Sequence, residues 1–104
     1  MIVLARTHLR NSVILLIDPA TVKRPPNTSI DHYRISWMNS NNPQEVGRLY
    51  IPPSQNLVGA QVQPLQQGEA YTITVDAFGR NPDTPIDTAA LNDVVPTGVY
   101  EASF

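Results

Sequence analysis

The strand pattern of this chain is clearest in one stretch, Tyr71-Thr72-Ile73-Thr74-Val75-Asp76-Ala77-Phe78. Successive side chains of a β-strand point to opposite faces of the sheet. Every second residue from Tyr71 to Ala77 is apolar and falls on one face, whereas the threonines and Asp76 fall on the other. Thr, Ile, Val and Tyr all favour a pleated, half-buried surface. The stretch therefore predicts a strand with one face turned to a core.

Other parts of the chain carry the same signal. Residues 33–37 alternate in the same way, and the polar run 39–43 that follows predicts a turn. Residues 46–51 form a shorter run that Pro52-Pro53 ends. Because proline cannot donate a ladder hydrogen bond, this run predicts an edge strand. Three further strands are predicted at 2–5, 12–17 and 57–62, although the apolar run 13–17 is continuous and does not alternate.

The C-terminal part of the chain offers two candidate elements. Residues 87–91, Asp-Thr-Ala-Ala-Leu, are compatible with a helical turn capped by Asp87. Residues 98–104 alternate, with Tyr100 and Phe104 on one face, which predicts the last strand or a C-terminal arm. We favour the second segment as the strand.

The number and spacing of these runs predict the fold class. Ten prolines in 104 residues argue against helices. Six or seven short strands separated by turns predict an all-β fold, a seven-stranded antiparallel β-sandwich. We expect residues 1–97 to form a single sandwich domain.

A spacing of three residues links Leu65, Gly68 and Tyr71. It resembles the tyrosine corner of the fibronectin type III domain, an immunoglobulin-like sandwich in which the tyrosine phenol bonds back to nearby backbone. Residues 12–19 and 30–37 resemble strands B and C of that family. The resemblance implies a fibronectin type III-like fold for residues 1–97.

The resemblance also implies where the loops lie. Residues 19–30, 79–97 and the turn near 54–56 are expected at one end of the sandwich, where such domains often bind partners. Lys23 and Arg24 would then lie opposite Arg80 as a small positive end. A fold does not carry function by itself, so function has to come from particular residues.

Composition excludes several classes of function. The chain has no cysteine, so neither disulfides nor thiolate metal sites are expected. A formal net charge of −2 with a single lysine gives no basic footprint, so neither nucleic acid nor a membrane surface is an expected partner. The longest apolar run, 13–17, is too short to cross a bilayer, and no signal-peptide pattern opens the chain. We therefore expect synthesis in the cytoplasm.

Catalytic chemistry is also not indicated. The two histidines are His8 and His32, and no nucleophile-elbow motif is present. A site built from His8, His32 and Asp31 matches no metal-binding spacing. The five glycines are scattered, so no phosphate-binding loop is expected. We expect no enzymatic activity, no metal and no cofactor.

Surplus apolar surface is the best indication of an interaction. If Val13, Leu15 and Ile17 face the core, Ile14 and Leu16 point outward from the same strand. Burying two such side chains is worth roughly 3 to 6 kcal/mol. Two coverings are open: the chain's own tail, through Tyr100 and Phe104, or a neighbouring subunit. The predicted partner-binding residues are Ile14, Leu16, Lys23, Arg24, Arg80, Tyr100 and Phe104.

These observations predict a non-catalytic structural or interaction protein, a β-sandwich attached to a larger assembly. The Asn-, Gln-, Thr- and Pro-rich, lysine-poor composition resembles that of small phage virion proteins such as capsid decoration or tail subunits. A virion location and a protein partner (a capsid, tail or scaffold subunit, or a second copy) are the corresponding expectations. The alternative is a glycan- or protein-binding module of an extracellular adhesin or carbohydrate-active enzyme.

Overall fold

The computed structural model describes residues 3–97 and 101–103. Short strands joined by turns dominate it, as the proline-rich, alternating sequence predicts. One 3-10 turn, Pro19–Thr21, is capped by the Asp18 carboxylate, which accepts a hydrogen bond from the Ala20 amide at 3.0 Å. None of the described helical segments is long and apolar enough to cross a membrane. The strands are β1 Val3–His8, β2 Val13–Ile17, β3 His32–Asn39, β4 Asn42–Ile51, β5 Val58–Val62, β6 Tyr71–Phe78, β7 Asp87–Val94 and β8 Glu101–Ser103.

The strands form two antiparallel sheets. Sheet I has the order β5-β2-β1-β8 and sheet II the order β4-β3-β6-β7. The seven strands up to Val94 build sheets of three and four strands, and β8 is added at the edge of sheet I. The predicted all-β antiparallel sandwich is confirmed. The predicted edge position of the 46–51 run is also confirmed, since this run lies in β4 at the edge of sheet II.

The core lies between the sheets and is built from alternate residues of the central strands. Strand β2 is the clearest case, because Val13, Leu15 and Ile17 have no exposed surface while the residues between them are half-buried. Strand β3 follows the same rule with Tyr33, Ile35 and Trp37. The inward faces predicted from alternation are therefore the ones that pack. Strand β6 adds Tyr71, Ile73, Val75 and Ala77.

The tyrosine corner forms as its spacing predicts. The Tyr71 phenol accepts a hydrogen bond from the Gln66 amide at 2.8 Å. Gly68 has a φ of +84°, a left-handed conformation that glycine adopts without strain, and it turns the chain into β6. The phenol thus fixes the loop before β6 against the strand that follows.

Glu45 on β4 joins this corner to the neighbouring strand. Its carboxylate accepts hydrogen bonds from the Asn39 side chain at 2.6 Å, the Tyr71 hydroxyl at 2.9 Å and the Gln66 side chain at 3.2 Å. These bonds, that from Asn39 foremost, lower the pKa of Glu45 below its usual value. Burial raises the pKa of Tyr71, so its hydroxyl stays a donor at neutral pH.

The helical turn predicted at residues 87–91 is wrong. These residues lie in β7, which pairs antiparallel with β6 and turns Ala89 and Leu91 into the core. The Asp87 carboxylate caps no helix; it accepts hydrogen bonds from the Lys23 and Thr88 amides, both at 2.9 Å. Pairing along the open side of β6 stabilises an extended conformation that local propensity does not indicate.

The last strand, β8, lies within the predicted segment 98–104. Strand β8 pairs with residues 6–8 of β1. The crossing from sheet II to sheet I is held by a 2.9 Å contact of the His8 ring nitrogen with the Val95 carbonyl. It is also held by the Gly68 amide, which donates to the Pro96 carbonyl at 2.9 Å. Tyr100 and Phe104 lie outside the described residues.

The turn predicted over 39–43 is shorter than expected. Strand β3 continues to Asn39 and β4 begins at Asn42, so only two residues connect them. The buried Asn39 side chain accepts from the Asn41 amide at 2.9 Å and forms an Asx turn. That local bond allows Asn-rich sequence to close a tight hairpin.

Replacing Gly47 with alanine tests the packing of the single tryptophan. Gly47 lies opposite Trp37 across β3 and β4, and a Cβ there would overlap the indole ring. We expect Gly47→Ala to lower the free energy of unfolding by about 1 to 3 kcal/mol, as overpacking does. Urea denaturation followed by Trp37 fluorescence measures it. Gly59→Ala is the matched control, because a Cβ there meets nothing within 4 Å, and equal losses in both variants would contradict this account.

The hydrogen bonds to Glu45 predict an acid-dependent stability. Because folding lowers the pKa of Glu45, the stabilisation is present above the ordinary value of 4.5 and is lost as the pH falls below it. Glu45→Gln should therefore be less stable than wild type near about pH 7, with the difference shrinking towards about pH 3. Urea denaturation across this range measures it, with Glu69→Gln as a control that keeps the Glu45 contacts. A difference that stays constant with pH would refute the prediction.

Candidate functional site

Three loops meet at one end of the sandwich, as the family resemblance implies. They are residues 18–31, 52–57 and 79–86, which connect strands at the same end of the sandwich. A groove between the first two is lined by Pro19, Arg24, Ser29, Pro53 and Gln55. The third loop is shorter than the predicted 79–97 because β7 occupies residues 87–94. We call this end of the sandwich the loop end.

The three predicted cationic residues all belong to the loop end but do not share one groove. Arg24 lines the groove described above, whereas Arg80 lines a second groove together with Asp31. Lys23 is exposed, and its amide is bonded to Asp87. Acidic side chains therefore stand among the cations at this end.

An aromatic cluster lies where the outer face of sheet II reaches the loop end. Phe78 points to the outer face yet is only 2% exposed. His32 stacks on it with ring centroids 4.8 Å apart and an interplanar angle of 7°. Tyr50 stands next to His32 at 6.1 Å and is 58% exposed. We call His32, Tyr50 and Phe78 the aromatic ledge.

A partly buried ion pair lies beneath the aromatic ledge. The Arg34 guanidinium lies 4.9 Å from the centre of the Phe78 ring and donates to the Asp76 carboxylate at 3.0 Å. Thr88 donates to the other carboxylate oxygen at 2.7 Å. Asp76 is buried, so its carboxylate relies on these two partners for hydrogen bonds. Three neighbouring strands are thereby joined on their outer face.

The two histidines lie at opposite ends of the sandwich. His32 lies at the loop end, where it is packed in the aromatic cluster and bonded to the Asp31 carboxylate at 2.8 Å. His8 lies at the opposite end, where β1 faces the start of β2. Within residues 3–97 and 101–103, no three metal-binding side chains of His, Cys, Asp or Glu come together.

A second feature of sheet II is an apolar groove on its outer face. Met38 and Val46 are directly opposite each other on β3 and β4 and are 40% and 64% exposed. Ser36, Arg48, Thr72 and Thr74 line the groove around them, and its volume is about 570 Å³. We call it the outer-face groove. Sequence alternation leaves Met38 and Val46 as isolated outward residues, and only the strand register makes them neighbours.

Sheet I places Ile14 and Leu16 as predicted, on its outer face and half-buried. Ile14 lies between Thr7 and Gln61, and Leu16 lies beside Gly59, which has no side chain to cover it. Strand β8 pairs one strand away, on β1. Both sheets therefore carry apolar side chains on the face away from the core.

No protein-family model, curated protein or solved structure matches this chain. The fold and its surfaces therefore define the class of protein directly. The chain is an all-β antiparallel sandwich with a loop end, an aromatic ledge and apolar side chains on both outer faces.

Removing the cation from this partly buried ion pair should be costly, because its partner Asp76 is buried. Arg34→Met leaves the buried Asp76 carboxylate with Thr88 alone, and we expect a loss of about 2 to 4 kcal/mol in the free energy of unfolding. The double variant Arg34→Met/Asp76→Leu removes both charges and should lose less than the single one. Thermal and urea denaturation of the three proteins measures this. A single-variant loss below about 1 kcal/mol, typical of exposed pairs, would contradict it.

Proposed function

We propose that this protein is a non-catalytic structural or interaction module, a fibronectin type III-like sandwich that docks onto another protein subunit. The observation that carries the proposal is the outer-face groove. Met38 and Val46 form an apolar pair in the middle of a sheet, and no described part of the chain covers them. The tyrosine corner at Tyr71 supports the family resemblance.

The position of the groove beside an edge strand supports docking. Strand β4 is ten residues long and pairs on one side with β3, with no other described strand on its second side. An open edge offers unpaired backbone donors and acceptors that an added strand can satisfy. A partner strand on β4 would lie next to Val46 and widen the apolar contact.

A second copy of the chain would cover the apolar pair of Met38 and Val46 and would also pair with the open edge of β4. Antiparallel pairing of β4 with β4 of another copy is self-complementary and generates two-fold symmetry. This pairing would join sheet II of one copy to sheet II of the other and bring both outer-face grooves close to the symmetry axis. The surrounding residues are mainly uncharged, with Arg48 as the one cation lining the groove. Such a contact should weaken little with salt.

A virion location remains part of this proposal on compositional grounds. Few charges and many Asn, Gln, Thr and Pro residues suit persistent contacts in a large assembly. Capsid decoration and tail subunits are the kinds of component that match this chemistry. Ile14 and Leu16 on sheet I provide a second contact face, as such a subunit needs.

Light scattering after size-exclusion chromatography tests the docking proposal. We expect wild type to show a mass above the 11.5 kDa of one chain at about 0.1 mM protein, and Val46→Lys to return it to the monomer mass. The lysine places a charge in the apolar contact, and burying it without a partner is unfavourable.

Leu57→Lys is the matched control for Val46→Lys. Leu57 is similarly exposed but lies in the loop before β5, away from the groove, so its variant should keep the wild-type mass. Thermal unfolding checks that both variants are folded. A monomeric wild type, or the same mass change in both variants, would overturn the proposal.

A further inference from the structure

We propose that the loop end carries a binding site for a neutral saccharide, with the exposed Tyr50 ring as its stacking platform. This site is separate from the proposed subunit contact. It combines the aromatic ledge with the second groove, whose lining includes Asn27, Thr28, Ser29, Asp31 and Arg80. Asp31 belongs to both halves, because it lines the groove and bonds to His32 of the ledge.

The aromatic ledge and the second groove match the two kinds of surface on a sugar ring. A pyranose presents C–H groups on its faces, which pack on an aromatic ring, and hydroxyls around its edge. Tyr50 offers an exposed ring at the end of β4, held beside His32. The adjacent groove offers an amide, two hydroxyls, a carboxylate and a guanidinium, which can both donate to and accept from sugar hydroxyls.

The site is preorganised, which reduces the entropy lost on binding. The Asp31 amide donates to the Phe78 carbonyl at 2.7 Å, and its carboxylate holds His32 at 2.8 Å. Asn27, which also lines the groove, has a φ of +62° in a turn closed by the Thr28 amide donating to the Pro25 carbonyl at 3.2 Å. The groove has a volume of about 510 Å³, within the usual range for small-ligand sites.

Charge distribution favours a neutral ligand over an ionic one. Arg34, the cation beneath the ledge, is already paired with the buried Asp76. In the groove itself, one cation, Arg80, accompanies one anion, Asp31. Neither an anionic nor a cationic ligand would find an excess of opposite charge there, whereas uncharged hydroxyls can use both groups.

Isothermal titration calorimetry with a panel of hexasaccharides tests the proposal. The neutral probes are linear hexamers of glucose, mannose, galactose, xylose and N-acetylglucosamine, and a hyaluronan hexamer is the acidic probe. We expect at least one neutral hexamer to bind wild type. Tyr50→Ala should weaken that binding about fivefold or more, because the stacking face is removed, while Tyr50→Phe should retain it within about twofold.

Asp31→Asn and Met38→Ala complete the set of variants. Asp31→Asn removes the shared carboxylate and should weaken binding, whereas Met38→Ala shortens an exposed side chain of the outer-face groove, outside the loop end, and should not. No binding of any neutral hexamer at about 10 mM, binding of hyaluronan alone, or equal affinity of wild type and Tyr50→Ala would each overturn the proposal. Val46→Lys should leave saccharide binding unchanged, so the two proposals fail independently.

Discussion

The hydrogen bonds around the Tyr71 phenol connect the segments that position both outer-face features of sheet II, the aromatic ledge and the outer-face groove. The phenol accepts from the Gln66 backbone and donates to Glu45, whose carboxylate also accepts from the buried Asn39. One residue cluster thus joins the loop before β6, the strand β6 itself, the β3–β4 hairpin and the edge strand β4. Without these bonds β4 would depend on β3 pairing alone, and both outer-face features of sheet II include β4 residues.

Strand β4 therefore serves two proposed contacts at different points along its length. Val46 belongs to the outer-face groove and Tyr50 to the aromatic ledge. Four residues of extended chain separate them by about 13 Å. A subunit pairing along the β4 edge leaves the outer face of Tyr50 open, so docking and saccharide binding are compatible. At the loop end, the ion pair of Arg34 and Asp76 keeps the ledge in place.

The sequence predicted much of the fold but little of the candidate site. Alternation identified β3 and β6 and their inward faces, a continuous apolar run identified β2, and the resemblance carried by the Leu-Gly-Tyr spacing implied the bond made by the Tyr71 phenol. Alternation did not identify β7, because residues 87–91 have a weak pattern that is also compatible with a helix. They become a strand only beside β6. The sequence analysis predicted that the cations form one small positive end, whereas in the structure Arg24 and Arg80 line different grooves.

The sequence by itself determined that this chain is an all-β sandwich, because the period of two in the apolar residues of strands such as β3 and β6 is a local property that fixes which side of the strand is buried. The tertiary structure alone decided which outward residues meet. Met38 faces Val46, and His32 stacks on Phe78, only because the β3–β4 and β3–β6 registers bring them together. Register is a relation between distant strands, set by core packing and by bonds such as those of Glu45. Alternation within a single strand therefore excludes slips by an odd number of residues, but it does not choose among the remaining registers.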